Sequence, residues 1–83
     1  EVLVMLFKEA TSSRILDLCK QYNYTPNRLA EMSAIPPSTL RALLSNKVEN
    51  PSSHLIFKIC RTLKIDIKEF YNSTLFKFDN IDD

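Results

Sequence analysis

The sequence predicts an all-α domain of five short helices, and three observations carry that prediction. Apolar residues recur at three- and four-residue spacing through most of the chain. Helix-start chemistry at Thr25-Pro26, Pro36-Pro37, Ser52 and Asp66 divides that pattern into short pieces. With 83 residues the chain can bury one modest core, and five helices leave no room for a sheet.

The first helix is expected from Leu6 or Phe7 to Tyr22, burying Phe7, Ala10, Ile15, Leu18, Cys19 and Tyr22. A shorter version would start at the hydroxyl cluster Thr11-Ser12-Ser13. Asn23 tolerates the left-handed conformation that ends a helix. The second helix starts with Thr25 as N-cap and Pro26 at its first position, where a missing N–H costs nothing. Leu29 and Ala30 then face inward with either Met32 or Ser33. Pro36-Pro37 begin the third helix, with Leu40, Leu43 and Leu44 on one face and Ser38, Thr39, Arg41, Ala42 and Ser45 on the other.

The polar segment Asn46–Pro51 reads as a loop. Ser52 caps the fourth helix, whose inner face is Leu55 or Ile56, Ile59, Cys60 and Leu63. Asp66 and Glu69 suggest an acidic capping box that opens a short fifth helix burying Ile67 and Phe70. The domain proper is thus placed at residues 6–71. Residues 1–5 are set apart as an N-terminal extension, with residues 1–4 either native or an expression remnant before Met5. Residues 72–83 form a tail carrying Leu75, Phe76, Phe78 and Ile81, which either folds back or contacts another chain, as a dimer or partner surface.

Composition narrows the function. An apolar fraction of 45% with 25% charged residues is that of an ordinary soluble domain. No apolar run approaches the roughly 18 residues a membrane helix needs, and the segment Val2–Phe7 lacks a signal peptide's cleavage site. The absence of glycine removes Gly-rich phosphate loops, and with them the usual nucleotide-binding enzymes. Cys19 and Cys60 read as reduced core residues of a cytoplasmic protein, against a disulfide or redox pair. With His54 they make no recognisable metal spacing. No cofactor, small-molecule ligand or catalytic constellation is expected. The net charge is only +1, but residues 12–64 hold eight basic residues against three acidic ones, a local +5 offset by Asp79, Asp82 and Asp83.

The connection Ala34–Pro36 is so short that helices 2 and 3 must cross steeply, as a helix-turn-helix does. The run TPNRLAEMSAIPPSTLRALLSNK (Thr25–Lys47), continued by NPSSHLIFKICRTLKIDIKEF (Asn50–Phe70), resembles the lambda-repressor-like, or xenobiotic-response-element type, helix-turn-helix family. The likeness runs without gaps over about 55 residues. It rests on the Leu-Ala pair of helix 2, Ser-Thr-Leu of helix 3, Asn-Pro-Ser before helix 4 and Leu-x-Ile before helix 5.

The resemblance implies a bacterial or phage regulator that binds double-stranded DNA, with helix 3 in the major groove. Pro37, Ser38, Thr39 and Ala42 would occupy its base-facing slots, with Arg41 on the neighbouring stripe reaching a phosphate or a guanine. Thr25 and the helix 2 N-terminus would hold a phosphate, and Arg28 is counted among the phosphate contacts. Ser45, Lys47 and Ser52 would hold a second backbone stretch. Arg41 could instead be a solvated helix charge, and Ser38 and Thr39 local caps. Lys58, Arg61 and Lys64 are expected away from the DNA face, and Tyr22 and Tyr24 to serve packing.

This chain departs from the family pattern in several places. Pro26 replaces a Gln that often bonds DNA. Ala34 and Lys64 stand where Gly is usual, and a left-handed Ala costs about 1 kcal/mol. Cys19 and Leu44 replace a buried Arg–Glu pair, a swap that strands no charge. The functional expectation is a sequence-specific repressor acting as a homodimer. The rival is an antitoxin or anti-regulator that uses the same fold to hold a partner protein through its tail.

Overall fold

The computed structural model describes residues 4–83, so residues 1–3 of the expected extension lie outside the described residues. Its helices are α1 (Phe7–Tyr22), α2 (Pro26–Met32), α3 (Pro37–Leu44), α4 (Ser53–Leu63) and α5 (Ile67–Phe70), followed by 3-10 turns at Thr74–Phe76 and Phe78–Asn80. Met5 and Ile81 form an isolated parallel bridge. Among the described residues, no helix is long and apolar enough to cross a membrane.

The longer version of the first helix is the one that forms. The Leu6 N–H donates to Glu9 Oε1 (2.8 Å), and the Phe7 N–H reaches the Asp83 carboxylate (3.2 Å to Oδ2). Two orphan donors of the first turn are thereby satisfied, one from its own helix and one from the chain's other end. Thr11 and Ser12 lie inside α1 and are buried, with Thr11 Oγ1 donating to the Phe7 carbonyl (3.0 Å).

The four longer helices end alike. Asn23, Ala34, Asn46 and Lys64 adopt φ of 60°, 57°, 62° and 59° just past α1, α2, α3 and α4. The next residue's N–H returns to the carbonyl five residues back in every case: Tyr24 to Cys19 (2.8 Å), Ile35 to Ala30 (2.9 Å), Lys47 to Ala42 (3.0 Å) and Ile65 to Cys60 (3.0 Å). These are Schellman closures, usually built on Gly, here assembled without one. Tyr24, Ile35 and Ile65 pack into the core after the turn, whereas Lys47 stands exposed.

Leu29, Leu40, Leu43, Ile56, Ile59 and Leu63 form the core with Ile15, Leu18 and Phe70. Two expected inward residues, Tyr22 and Ile67, are not inward. Of the pair Met32 or Ser33, Ser33 takes the inner position, its hydroxyl paired with that of Thr62 on α4 at 2.6 Å, and Met32 is exposed. Ile67 is exposed because the single turn of α5 presents only one residue, Phe70, to the core. The acidic capping box at Asp66 does not form; the turn is closed by the Glu69 N–H donating to the Asp66 carbonyl (3.0 Å).

Arg14, counted in sequence with the basic body, is a structural residue. Its Nε donates to the Phe70 carbonyl (2.6 Å) and its Nη2 to the Glu69 carbonyl (2.8 Å). A guanidinium thus satisfies the orphan acceptors at the C-terminus of α5, where positive charge is favoured. The tail folds back on this end. Phe76 packs against Phe7, Phe70 and Tyr71 with ring centroids 5.8, 6.3 and 4.9 Å apart.

Cys19 and Cys60 are free and buried. Burial pushes both thiols above their ordinary value of 9.0, with Asp66 adding to the rise at Cys60 and Arg14 opposing it. The Tyr71 hydroxyl is likewise raised from 10.0, chiefly by burial. The unfolded chain therefore releases these protons first, so stability is intact below the unfolded values and lost as pH rises through the folded ones. Urea midpoints should be level to about pH 8 and fall above about pH 9. A midpoint unchanged at about pH 10.5 would contradict this.

Candidate nucleic-acid interface

The turn between α2 and α3 is made by Ser33–Pro36. Ala34 reverses the chain in the left-handed region, and Ile35 drops into the core at 4% exposure. Pro36, with φ −55°, then leads directly into Pro37 at the first position of α3. The left-handed Ala34 is exposed and carries a Cβ that Gly would lack. Ala34→Gly should raise the unfolding free energy by up to about 0.6 kcal/mol, the roughly 1 kcal/mol of relieved αL strain less about 0.4–1 kcal/mol of added unfolded-state entropy. A thermal melt reads it, and a lower melting temperature would contradict the assignment.

Helix α3 packs on α2 and α1. Leu40 and Leu43 are buried and Leu44 is half-buried on that side, which turns the opposite stripe outward. Of the residues expected to face bases, Pro37, Ser38 and Arg41 are exposed, while Thr39 and Ala42 are half-buried at the stripe's edge. No acidic residue occupies α3, so its outward face carries one cation and short side chains.

The expected phosphate contacts fall in distinct places. Thr25, Pro26 and Asn27 at the start of α2 line a shallow groove with Arg41, Leu44 and Ser45 of α3. The Thr25 Oγ1 accepts from the Arg28 N–H (3.1 Å), which leaves its O–H to point at an outside acceptor. Ser52 is built the same way, accepting from the Leu55 N–H (3.0 Å) at the start of α4. Arg28 is exposed but paired with Glu31 at 2.6 Å, a surface ion pair of small energetic weight. Lys47 projects from the turn after α3.

A second groove corrects the reading of α4. Lys58, placed by sequence away from this face, and His54 line a concavity with Thr39, Ser52, Pro36 and Leu55. The first half of α4 therefore borders the start of α3. Helical periodicity alone shows that Lys58 lies off the core face of α4; which neighbour it then meets depends on how α4 crosses α3. Arg61 does stand apart, its guanidinium 5.4 Å above the Phe57 ring.

A five-helix domain with a tight α2–α3 turn and an outward, cationic α3 defines the helix-turn-helix class of DNA-binding proteins. The family pattern of the Cro/C1-type HTH DNA-binding domain matches residues 14–73, and the chain belongs to that family. Two solved structures are similar to it in fold and sequence. The prophage Lp1 protein 11 aligns with a TM-score of 0.79 and 28% identity over 86% of this chain and 93% of its own. The clp gene regulator ClgR from Corynebacterium glutamicum aligns with a TM-score of 0.69 and 25% identity, over 78% of this chain and 82% of its own. No curated protein matches at the sequence level. The fold and family together make this a DNA-binding domain of transcriptional regulation.

Proposed function

We propose that the chain is the DNA-reading domain of a repressor that binds a palindromic site as a homodimer, with α3 in the major groove. The outward stripe of α3 carries this reading: it is free of acidic groups, exposes Ser38 and Arg41, and shares a groove with the N-terminus of α2. On this reading, Ser38, Thr39, Ala42 and the Pro37 ring meet base edges and thymine methyls. Thr25, Ser45, Lys47 and Ser52 hold the phosphate backbone on either side, with Arg28 a contributor only when it leaves Glu31. The short side chains predict modest direct readout, supplemented by DNA shape.

Selection of bound duplexes from a random pool tests this directly, repeated with Ser38→Ala and Arg41→Ala. Ser38→Ala should change the preferred bases, whereas a phosphate role for Arg41 predicts a uniform loss and a smaller salt slope. Absence of binding to any pooled duplex at low salt would end the DNA reading. The partner-holding alternative rested on the apolar tail, and much of that apolar surface is used within the chain: Phe76 packs on the core and Leu75 is half-buried.

A further inference from the structure

One tail residue is not absorbed by the fold. Phe78 is 96% exposed, although the turn that carries it is held at several points. The Asn80 N–H donates to the Lys77 carbonyl (2.8 Å), and the Asn80 side chain donates to the Thr74 carbonyl (2.7 Å). On either side of the Met5–Ile81 bridge, the Met5 N–H donates to the Asn80 carbonyl and the Asp82 N–H to the Met5 carbonyl, both at 3.0 Å. The backbone beneath the ring is thus held, so little main-chain freedom is lost when the ring docks. The ring shares a concavity with Ile81 and Asp83; Asp79 and Asp82 follow it in sequence against the one exposed cation Lys77 before it, so the charge around this apolar knob is net negative.

An opposite surface lies between α4 and α5. Phe57 and Ile67, 43% and 41% exposed, line an apolar groove with Arg61 and Lys64, and Asp66 is its one acid. Apolar groove with basic margin and apolar knob with acidic margin are complementary in both respects.

We propose that the groove between α4 and α5 receives Phe78 from a second copy of this chain, with Asp79 and Asp82 of the tail facing Arg61 and Lys64. The inference deepens the homodimer reading by naming its contact surface. One aromatic anchor in a small contact gives a weak association, which two adjacent DNA half-sites would raise by effective concentration. Neither surface includes a candidate DNA contact.

Sedimentation of the 83-residue chain over a concentration series tests it. Wild type should self-associate, and more weakly as salt rises from about 0.05 to 0.5 M. Phe78→Ser should raise the dimer dissociation constant at least about ten-fold while leaving the melting temperature and the affinity for a single half-site unchanged. Arg61→Glu with Lys64→Glu should weaken self-association, and mixing with an Asp79→Lys, Asp82→Lys chain should restore a heterodimer. If wild type dimerises and Phe78→Ser does so equally, or the swapped charges fail to recover, the docking proposal falls and the dimer stands. A wild-type chain that stays monomeric at all concentrations, and binds a double site no more tightly than a single one, overturns both.

Discussion

Phe70→Ala is expected to lower the unfolding free energy by about 3–5 kcal/mol, the range for removing a fully buried ring. Phe70 has no exposed surface, packs edge-on to Tyr71 at 4.9 Å, and joins α5 to the tail through Phe76. Its carbonyl is also the acceptor for Arg14 Nε, so loosening this residue disturbs the tie from α1. A domain of this size has about 4–12 kcal/mol of net stability, so the change removes a large share of the total. The melting temperature should fall by on the order of 20 °C, and the variant should be partly unfolded at body temperature. Phe70→Leu keeps much of the volume and should cost far less. A thermal melt showing less than about 1 kcal/mol lost for the alanine variant would mean that α5 and the tail are not part of the cooperative unit.

Ser38→Asp should have opposite effects on fold and function. Ser38 is exposed at the second position of α3, whose first turn has no acidic residue. A carboxylate there meets the positive helix end and should leave stability unchanged or raised by about 0.3–1 kcal/mol. On DNA the same carboxylate would face a polyanion, and like-charge juxtaposition costs several kcal/mol. Affinity should drop about 100-fold or more, since each 1.4 kcal/mol is a factor of ten. Anisotropy titrations beside a thermal melt read both quantities from one sample. An affinity within about three-fold of wild type would remove α3 from the interface, since so small a change is under 1 kcal/mol.

The elements were legible wherever their causes are local. A cap such as Thr25 or Ser52 acts on an N–H three residues away, so both were readable from adjacent sequence. The same holds for Asn23 and for the costly Ala34, because an αL closure involves a handful of consecutive residues. The local reading of Asp66–Glu69 failed where backbone closure replaced the side-chain box, which shows that a matching pair of residues permits a cap without compelling it.

The candidate site was legible along α3 and at the two caps, where helical periodicity decides what faces out. It was not legible across elements. That Thr39 and Ser52 share a concavity with His54 and Lys58 depends on the crossing of α3 and α4, which no local pattern encodes. A count of basic residues in sequence was equally uninformative about which are available, because Arg14 is committed to the end of α5, whereas Arg28 forms only a weak surface pair with Glu31.

What the sequence alone determined is the set of helices and most of their inner faces, Tyr22 and Ile67 excepted: spacing selects the buried stripe, and caps such as Thr25 and Ser52 mark helix starts. The tertiary structure decided the uses that depend on distant partners. Arg14 finds acceptors more than fifty residues away, and Phe7 is capped by Asp83 from the far end of the chain. It also separated Phe76 from Phe78, two aromatic residues apart by a single lysine, packing one against the core and leaving the other bare. Simple alternation would put residues two apart on the same side; the two consecutive 3-10 turns break that period, and only the surface against which the tail packs determines which ring is buried.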